Sequence, residues 1–159
     1  MNPDLSEAQC NLLALLDREG VRFLVIGGYA VRAHGVDRPT KDIDLWLSCS
    51  RQNAKRAGRA LSRYGSTPQG RWEDIISTPN RRLAYPREGP DHQGDLLTSV
   101  GDLDFDAVYV RSLKIRLCGG RFRMPNRDDL IAIKKISAES GNDEGKKAQD
   151  RSDLAALTK

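Results

Sequence analysis

Phe23-Leu-Val-Ile-Gly-Gly-Tyr-Ala-Val-Arg-Ala-His-Gly-Val-Asp-Arg-Pro-Thr-Lys-Asp-Ile-Asp-Leu45 contains two apolar runs separated by a glycine pair and a short polar segment. Val21 to Ile26 is β-branched and apolar, bounded by glycines, and reads as a buried strand. Gly27-Gly28 ends it sharply. Tyr29 to His34 is then a short helix closed by Gly35, and Val36 to Pro39 turns the chain into a second strand, Asp42 to Leu47. In that strand Ile43, Leu45 and Leu47 share one face, which sends Asp42 and Asp44 together to the other, roughly 6.5–7 Å apart.

Upstream, Ser6-Glu-Ala-Gln9 has the form of a capping box, and Ala8, Leu12, Leu15 and Leu16 recur at helical spacing, predicting a helix from Ser6 to Arg18. Downstream, Ser50 is placed to cap a helix over Arg51 to Arg63 with a thin apolar side of Ala54, Ala57, Ala60 and Leu61. The pattern fades between Tyr64 and Gly94, with short strands expected at Asp74 to Ser77 and Arg82 to Tyr85. Asp95 to Val100 reads as a strand, and Leu103 to Val110 fits strand or helix. Leu113 to Leu117 should turn back through Gly119-Gly120 into Arg121 to Met124 as a hairpin. Asn126, followed by Asp128 and Asp129, predicts a helix through Leu130, Ile133 and Ser137 that carries Lys134 and Lys135. After a polar stretch, a last helix over Lys147 to Leu157 should hold Leu154 and Leu157 against the core. Without repeats or a second apolar region, residues 1–159 are expected to form one domain.

The composition suits a folded chain: 38% hydrophobic and 30% charged residues can build one core under a solvated surface. The apolar runs, Leu12 to Leu16 and Phe23 to Ile26, fall far short of a membrane span, and the start has no basic-then-apolar leader. Cys10, Cys49 and Cys118 are widely spaced and odd in number, so neither a zinc motif nor a disulfide framework is legible, and a reducing cytoplasm is the expected compartment.

Two aspartates aligned on a strand face repel each other unless water or a cation neutralises them, and hard divalent cations prefer carboxylate oxygens. Taken alone, such a pair is also common as a solvated loop feature. Gly27-Gly28 sits where backbone N–H groups could approach a phosphate, yet its spacing is neither a dinucleotide fingerprint nor a P-loop, and strands often end in a plain glycine turn. Together, a phosphate cradle on one strand and a carboxylate pair on the next would suit a metal-bound triphosphate.

With these residues the segment resembles the signature of the nucleotidyltransferase superfamily typified by DNA polymerase beta: Gly-Gly, a spacer, then Asp-apolar-Asp. The spacer, residues 29–41, lies at the long end of that pattern. His34-Gly35, Arg38, Thr40 and Asp42-Ile-Asp44 look closest to small bacterial nucleotidyltransferase-like proteins grouped with the toxin components of abortive-infection systems. A weaker likeness continues through Asp95-Leu-Leu97, Asp129-Leu-Ile131 with Lys134, and Asp150-Arg-Ser-Asp153-Leu154. Two features depart from the family: Gly94 stands where an apolar strand residue is usual, and the polar run Gly141 to Lys146 is long.

The resemblance implies an α+β nucleotidyltransferase fold, with a mixed, mostly antiparallel sheet flanked by helices. It implies transfer of a nucleoside monophosphate from a nucleoside triphosphate such as ATP to a hydroxyl, with pyrophosphate leaving. Asp42 and Asp44 would bind two Mg²⁺ ions, Mn²⁺ being the alternative, with a third carboxylate completing the set. Asp95 is preferred as that third group, with Asp104 and Asp106 as rivals. Gly27 and Gly28 would hold phosphates with Arg38 or Lys41, Lys134 adding a contact; for these cations a solvated or structural role is the competing reading. His34 is better explained as a helix-end histidine satisfied by carbonyls than as a nucleotide contact. Basic blocks at 51–63 (+5) and 111–127 (+6), neither containing an acid, suggest a polyanionic acceptor such as tRNA; a protein side chain or small molecule is the alternative. The toxin-like relatives imply an antitoxin partner, and the short chain a homodimer. The competing expectation is a non-catalytic module of the same fold that binds nucleic acid or a partner protein through its basic surface.

Overall fold

A computed structural model describes residues 5–64, 70–140 and 143–159. Residues 65–69 of the faded region and 141–142 of the polar run lie outside the described residues. Helix α1 (Glu7–Arg18) starts at a complete capping box in which Ser6 accepts from the Gln9 N–H and Gln9 reaches back to the Ser6 N–H. The chain continues as β1 (Phe23–Ile26), α2 (Gly28–Ala33), β2 (Ile43–Leu47), α3 (Arg51–Tyr64), α4 (Trp72–Ile76), β3 (Arg82–Tyr85) and β4 (Gly94–Leu97). It ends with α5 (Phe105–Val110), β5 (Leu113–Leu117), β6 (Gly120–Met124), α6 (Arg127–Glu139) and α7 (Glu144–Leu157). The fold is mixed α and β.

One sheet has the order β1-β2-β4-β3, with β1/β2 and β3/β4 antiparallel and β2/β4 parallel; β5 and β6 form a separate hairpin. Both faces of the main sheet are covered. Phe23, Val25, Ile43, Leu45, Leu47 and Leu96 belong to the larger core, with Leu12, Leu13 and Leu16 of α1 and Ala54, Ala57 and Leu61 of α3. Leu24, Ile26 and Trp46 on the opposite face pack with Phe105, Val108 and Ile133 in a smaller cluster. The second apolar cluster is therefore the other side of the same sheet.

Several sequence expectations change, and the strand expected over Asp95 to Val100 runs instead over Gly94–Leu97. Asp74 to Ser77 is not a strand: Trp72–Ile76 is helical, with Glu73 and Asp74 in its first turn where the helix dipole favours acids. The ambiguous 103–110 segment is α5, and the last helix begins at Glu144, capped by Asp143, rather than at Lys147. Cys10 and Cys118 form a disulfide across a separation of 108 residues, leaving Cys49 free. An odd count hid this bridge because packing, not spacing, brings α1 to the β5–β6 turn.

Gly94 has a structural reason. A Cβ there would collide with the Ile43 carbonyl, the same oxygen that accepts a 3.0 Å hydrogen bond from the Tyr85 hydroxyl. An apolar side chain at this position would break the β2/β4 contact that carries the acidic residues.

Candidate functional site

The parallel pairing of β2 with β4 sets Asp44 directly beside Asp95. Neighbouring strands lie about 4.8 Å apart and paired residues share a face, so the two carboxylates sit side by side. Asp42, just before β2, precedes Asp44 by one strand period. Asp104 stands at the start of α5, while Asp106 is exposed and 3.6 Å from Arg22, so neither occupies the strand beside β2.

A cleft of about 420 Å³ opens along this end of the sheet, lined by Gly27, Gly28, Arg38, Pro39, Thr40, Lys41, Asp42, Asp44, Lys134, Lys146, Gln149 and Asp150. Asp95 lines an adjoining cleft of about 250 Å³ that shares Gly27, Asp44, Lys134, Lys146 and Asp150. Asp44 thus stands on the divide. Burial, then the neighbouring Asp95 charge, pushes its pKa up to about 6 against the opposing pull of Lys146 and Lys134. No hydrogen bond stabilises its carboxylate among the described residues.

The glycine pair is shaped to these neighbours. Gly27 has φ 72° and ψ −153°, a region essentially reserved for glycine, and a Cβ there would lie 2.6 Å from an Asp44 carboxylate oxygen. At Gly28 a Cβ would meet the Thr40 hydroxyl and lie 2.7 Å from an Arg38 guanidinium nitrogen. Gly27→Ala is therefore expected to lose about 1–3 kcal/mol of stability and displace Asp44. Urea denaturation read beside the Gly20→Ala control checks this, since Gly20 also has a positive φ (73°) but open space around it. Equal losses in both variants would remove the Asp44 contact from the explanation.

Asp95 is already engaged by cations. Arg82 lies 2.8 Å and His92 Nε2 2.9 Å from the same carboxylate oxygen, and His92 Nδ1 is 3.6 Å from Asp42. The hydrogen bond to Asp95 raises the His92 pKa, partly opposed by desolvation. Sequence reasoning assigned His92 no role; its place three residues before Asp95 was the available signal.

Lys134 is buried, its Nζ 3.1 Å from Asp150 and 2.9 Å from Asp153 on α7. Ser137 donates to Asp150 at 2.6 Å, and Arg38 approaches Asp153 at 3.4 Å. Two cations thus balance two carboxylates and tie α6, α7 and the Arg38 turn together. Arg38 Nε remains a buried donor with no partner among the described residues. Lys41 is exposed on the cleft rim, and Lys146, which sequence reasoning left inside a polar run, lines both clefts. His34 Nε2 is 2.9 Å from the Pro125 carbonyl oxygen, a structural contact.

No protein-family model and no curated protein matches the chain. What the site can do therefore rests on its own chemistry. Among the described residues, no three His, Cys, Asp or Glu side chains are grouped to hold a metal ion. The donor chemistry nevertheless fits a hard divalent cation, because Asp44 and Asp95 bring two carboxylates together and the pull of Lys146 and Lys134 does not outweigh desolvation and the Asp95 charge at Asp44. Arg82 supplies Asp95 with positive charge and His92 Nε2 lies within hydrogen-bond distance of the same oxygen.

The two basic blocks differ. On α3, Arg51 and Lys55 pair with Glu73, and Arg59 and Arg63 with Glu19, so acids from other elements offset that stripe. On the hairpin, register sets Lys114 opposite Arg123 and Arg116 opposite Arg121, stacking four basic side chains on the face away from buried Ile115 and Phe122.

Proposed function

We propose that the chain is a metal-dependent nucleotidyltransferase that moves a nucleoside monophosphate from a nucleoside triphosphate to a hydroxyl acceptor. The observation that carries this reading is Asp44 and Asp95 side by side on parallel strands, with the Asp44 carboxylate set against Gly27 and only partly offset by Lys146 and Lys134. Asp42, Asp44 and Asp95 would hold Mg²⁺ or Mn²⁺, which when bound supplies charge neutralisation at the α-phosphate and the leaving pyrophosphate. The Gly27 and Gly28 backbone lies open to a phosphate because neither residue has a side chain. Arg38, which lines the cleft, and Lys41 on the rim place positive charge beside the same anion. Lys134 and Lys146 hold positive charge at the cleft floor, and the salt links to Asp150 and Asp153 fix Lys134 there. Asp95 would accept the acceptor hydroxyl proton once Arg82 and His92 release it.

The four basic residues of the hairpin favour a polyanionic acceptor such as tRNA over a protein side chain or small molecule. The likeness to toxin components adds an antitoxin or a second copy as partner; nucleoside triphosphates favour the cytoplasm as compartment, whereas the Cys10–Cys118 disulfide counts against a reducing one. No helix among the described residues is long and apolar enough to cross a membrane.

A second reading is a non-catalytic module that binds nucleic acid or a partner protein through its basic surface. Arg82 and His92 on Asp95, and the lack of a three-residue metal group among the described residues, favour it. Calorimetric titration with each nucleoside triphosphate and Mg²⁺ separates the two. Metal-dependent binding that disappears in Asp42→Ala/Asp44→Ala is the expected result; folded wild type that binds no triphosphate would move the assignment to the module.

A further inference from the structure

We propose that Gln9 is a positioning residue for the acidic site: its side-chain amide sets the spacing between the segment that delivers Asp42 and Asp44 and the one that delivers Asp95. The inference rests on reading these carboxylates as the functional site.

Gln9 is 2% exposed and belongs to α1, outside the sheet. Its Nε2 donates to the Lys41 carbonyl at 3.0 Å and the Gln93 carbonyl at 2.8 Å, while its Oε1 accepts from the Ser6 N–H at 2.9 Å. A primary amide has two N–H donors, and both are committed. Lys41 immediately precedes Asp42, and Gln93 lies two residues before Asp95. Gln9 therefore adds a side-chain rung just beyond the β2/β4 ladder, where Ile43 N–H also donates to the Gln93 carbonyl at 3.0 Å. Parallel strands lack a tight turn to fix their register, so another contact must set how their entry segments meet.

The residue type supports a second role. A capping box accepts Glu or Gln equally well, because only the acceptor oxygen is used. Glutamate would cap α1 but offer no donors to the two carbonyls and would repel their oxygens. Glutamine serves both needs.

Two sets of variants divide these roles. Gln9→Glu keeps the cap acceptor and loses the donors, and Gln9→Met loses both without adding charge; Ser6→Ala removes the Ser6 side-chain half of the cap and the 2.8 Å hydrogen bond that the Ser6 hydroxyl donates to the Gln93 side-chain Oε1, while leaving both Gln9 contacts to the backbone carbonyls in place. Mg²⁺–triphosphate affinity should fall at least tenfold in both Gln9 variants and stay within about twofold of wild type in Ser6→Ala, with stability measured on all three. The ring ¹⁵N signals of His92 at fixed pH, which report its hydrogen bond to Asp95, should move in the Gln9 variants alone. Wild-type affinity in Gln9→Met, or an equal loss in Ser6→Ala at similar stability, would overturn the positioning role. If wild type itself binds no triphosphate, the nucleotidyltransferase reading fails and the His92 signals alone decide the role of Gln9: unchanged signals refute it, and selective shifts support it.

Discussion

Asp44→Asn is expected to stabilise the metal-free protein at pH 7 while abolishing triphosphate binding. Burial and the Asp95 charge push the carboxyl up to about 6 in the folded state from its ordinary 3.8, a difference worth roughly 2–3 kcal/mol at neutral pH. Between those values the native protein holds a proton that the unfolded chain has released, so wild-type stability falls as pH rises from about 4 to 6. Asparagine does not titrate. The gap between variant and wild type should therefore be near zero at pH 4, open to pH 6 and stay level above, a gain of roughly 5–10 °C in Tm at pH 7. His92, whose pKa is raised, adds stability below its unfolded value of about 6.5 that fades as pH rises through the folded value. Denaturation at pH 4, 6 and 7.5 tests the sign, and a variant less stable than wild type at pH 7 would refute it. Mg²⁺ with a triphosphate should raise the wild-type Tm and leave that of Asp44→Asn unchanged. A site that stabilises the fold when its charge is removed is one arranged to receive positive charge from outside.

The second large effect concerns the Cys10–Cys118 bridge. Chain-entropy arguments assign about 4.7 kcal/mol to closing a loop of roughly 100 residues, and the separation here is 108. Cys10→Ser/Cys118→Ser should therefore lose on the order of 3–5 kcal/mol, read as a lower urea midpoint. Wild type in excess dithiol should converge on the same midpoint. Unchanged stability in both would mean that packing between α1 and the hairpin already fixes that contact. Cys49, which is free, should make no difference to either result when replaced by serine.

Much of the central fold was legible because periodicity and punctuation agreed there. The capping box at Ser6, the apolar run at Phe23, the glycine pair and the Asn126 cap each combine a local signal with the hydrophobic pattern, and each element stands close to its expected bounds. Trp72–Ile76 was misread because five residues are too few to display a helical period. The pairing of Asp44 with Asp95 could be guessed from alternation within each strand, but the parallel β2/β4 register is a tertiary fact. His92, Arg82 and Lys146 escaped for the same reason: each reaches the carboxylates across chain segments whose approach no local pattern records. The α3 block looked uniformly basic because its counter-charges, Glu19 and Glu73, lie on other elements.

The hairpin has a further consequence in the stacking of Lys114 on Arg123 and Arg116 on Arg121. Like charges directly across two strands cost stability, and screening by salt relieves part of that cost. β6 packs beside β1, so these charges deter a second chain from adding its strand along β5, because an approaching copy would bring an identical ladder of cations. Two copies meeting along that strand would therefore repel each other, so any pairing of copies through the hairpin should strengthen as added salt screens the ribbon.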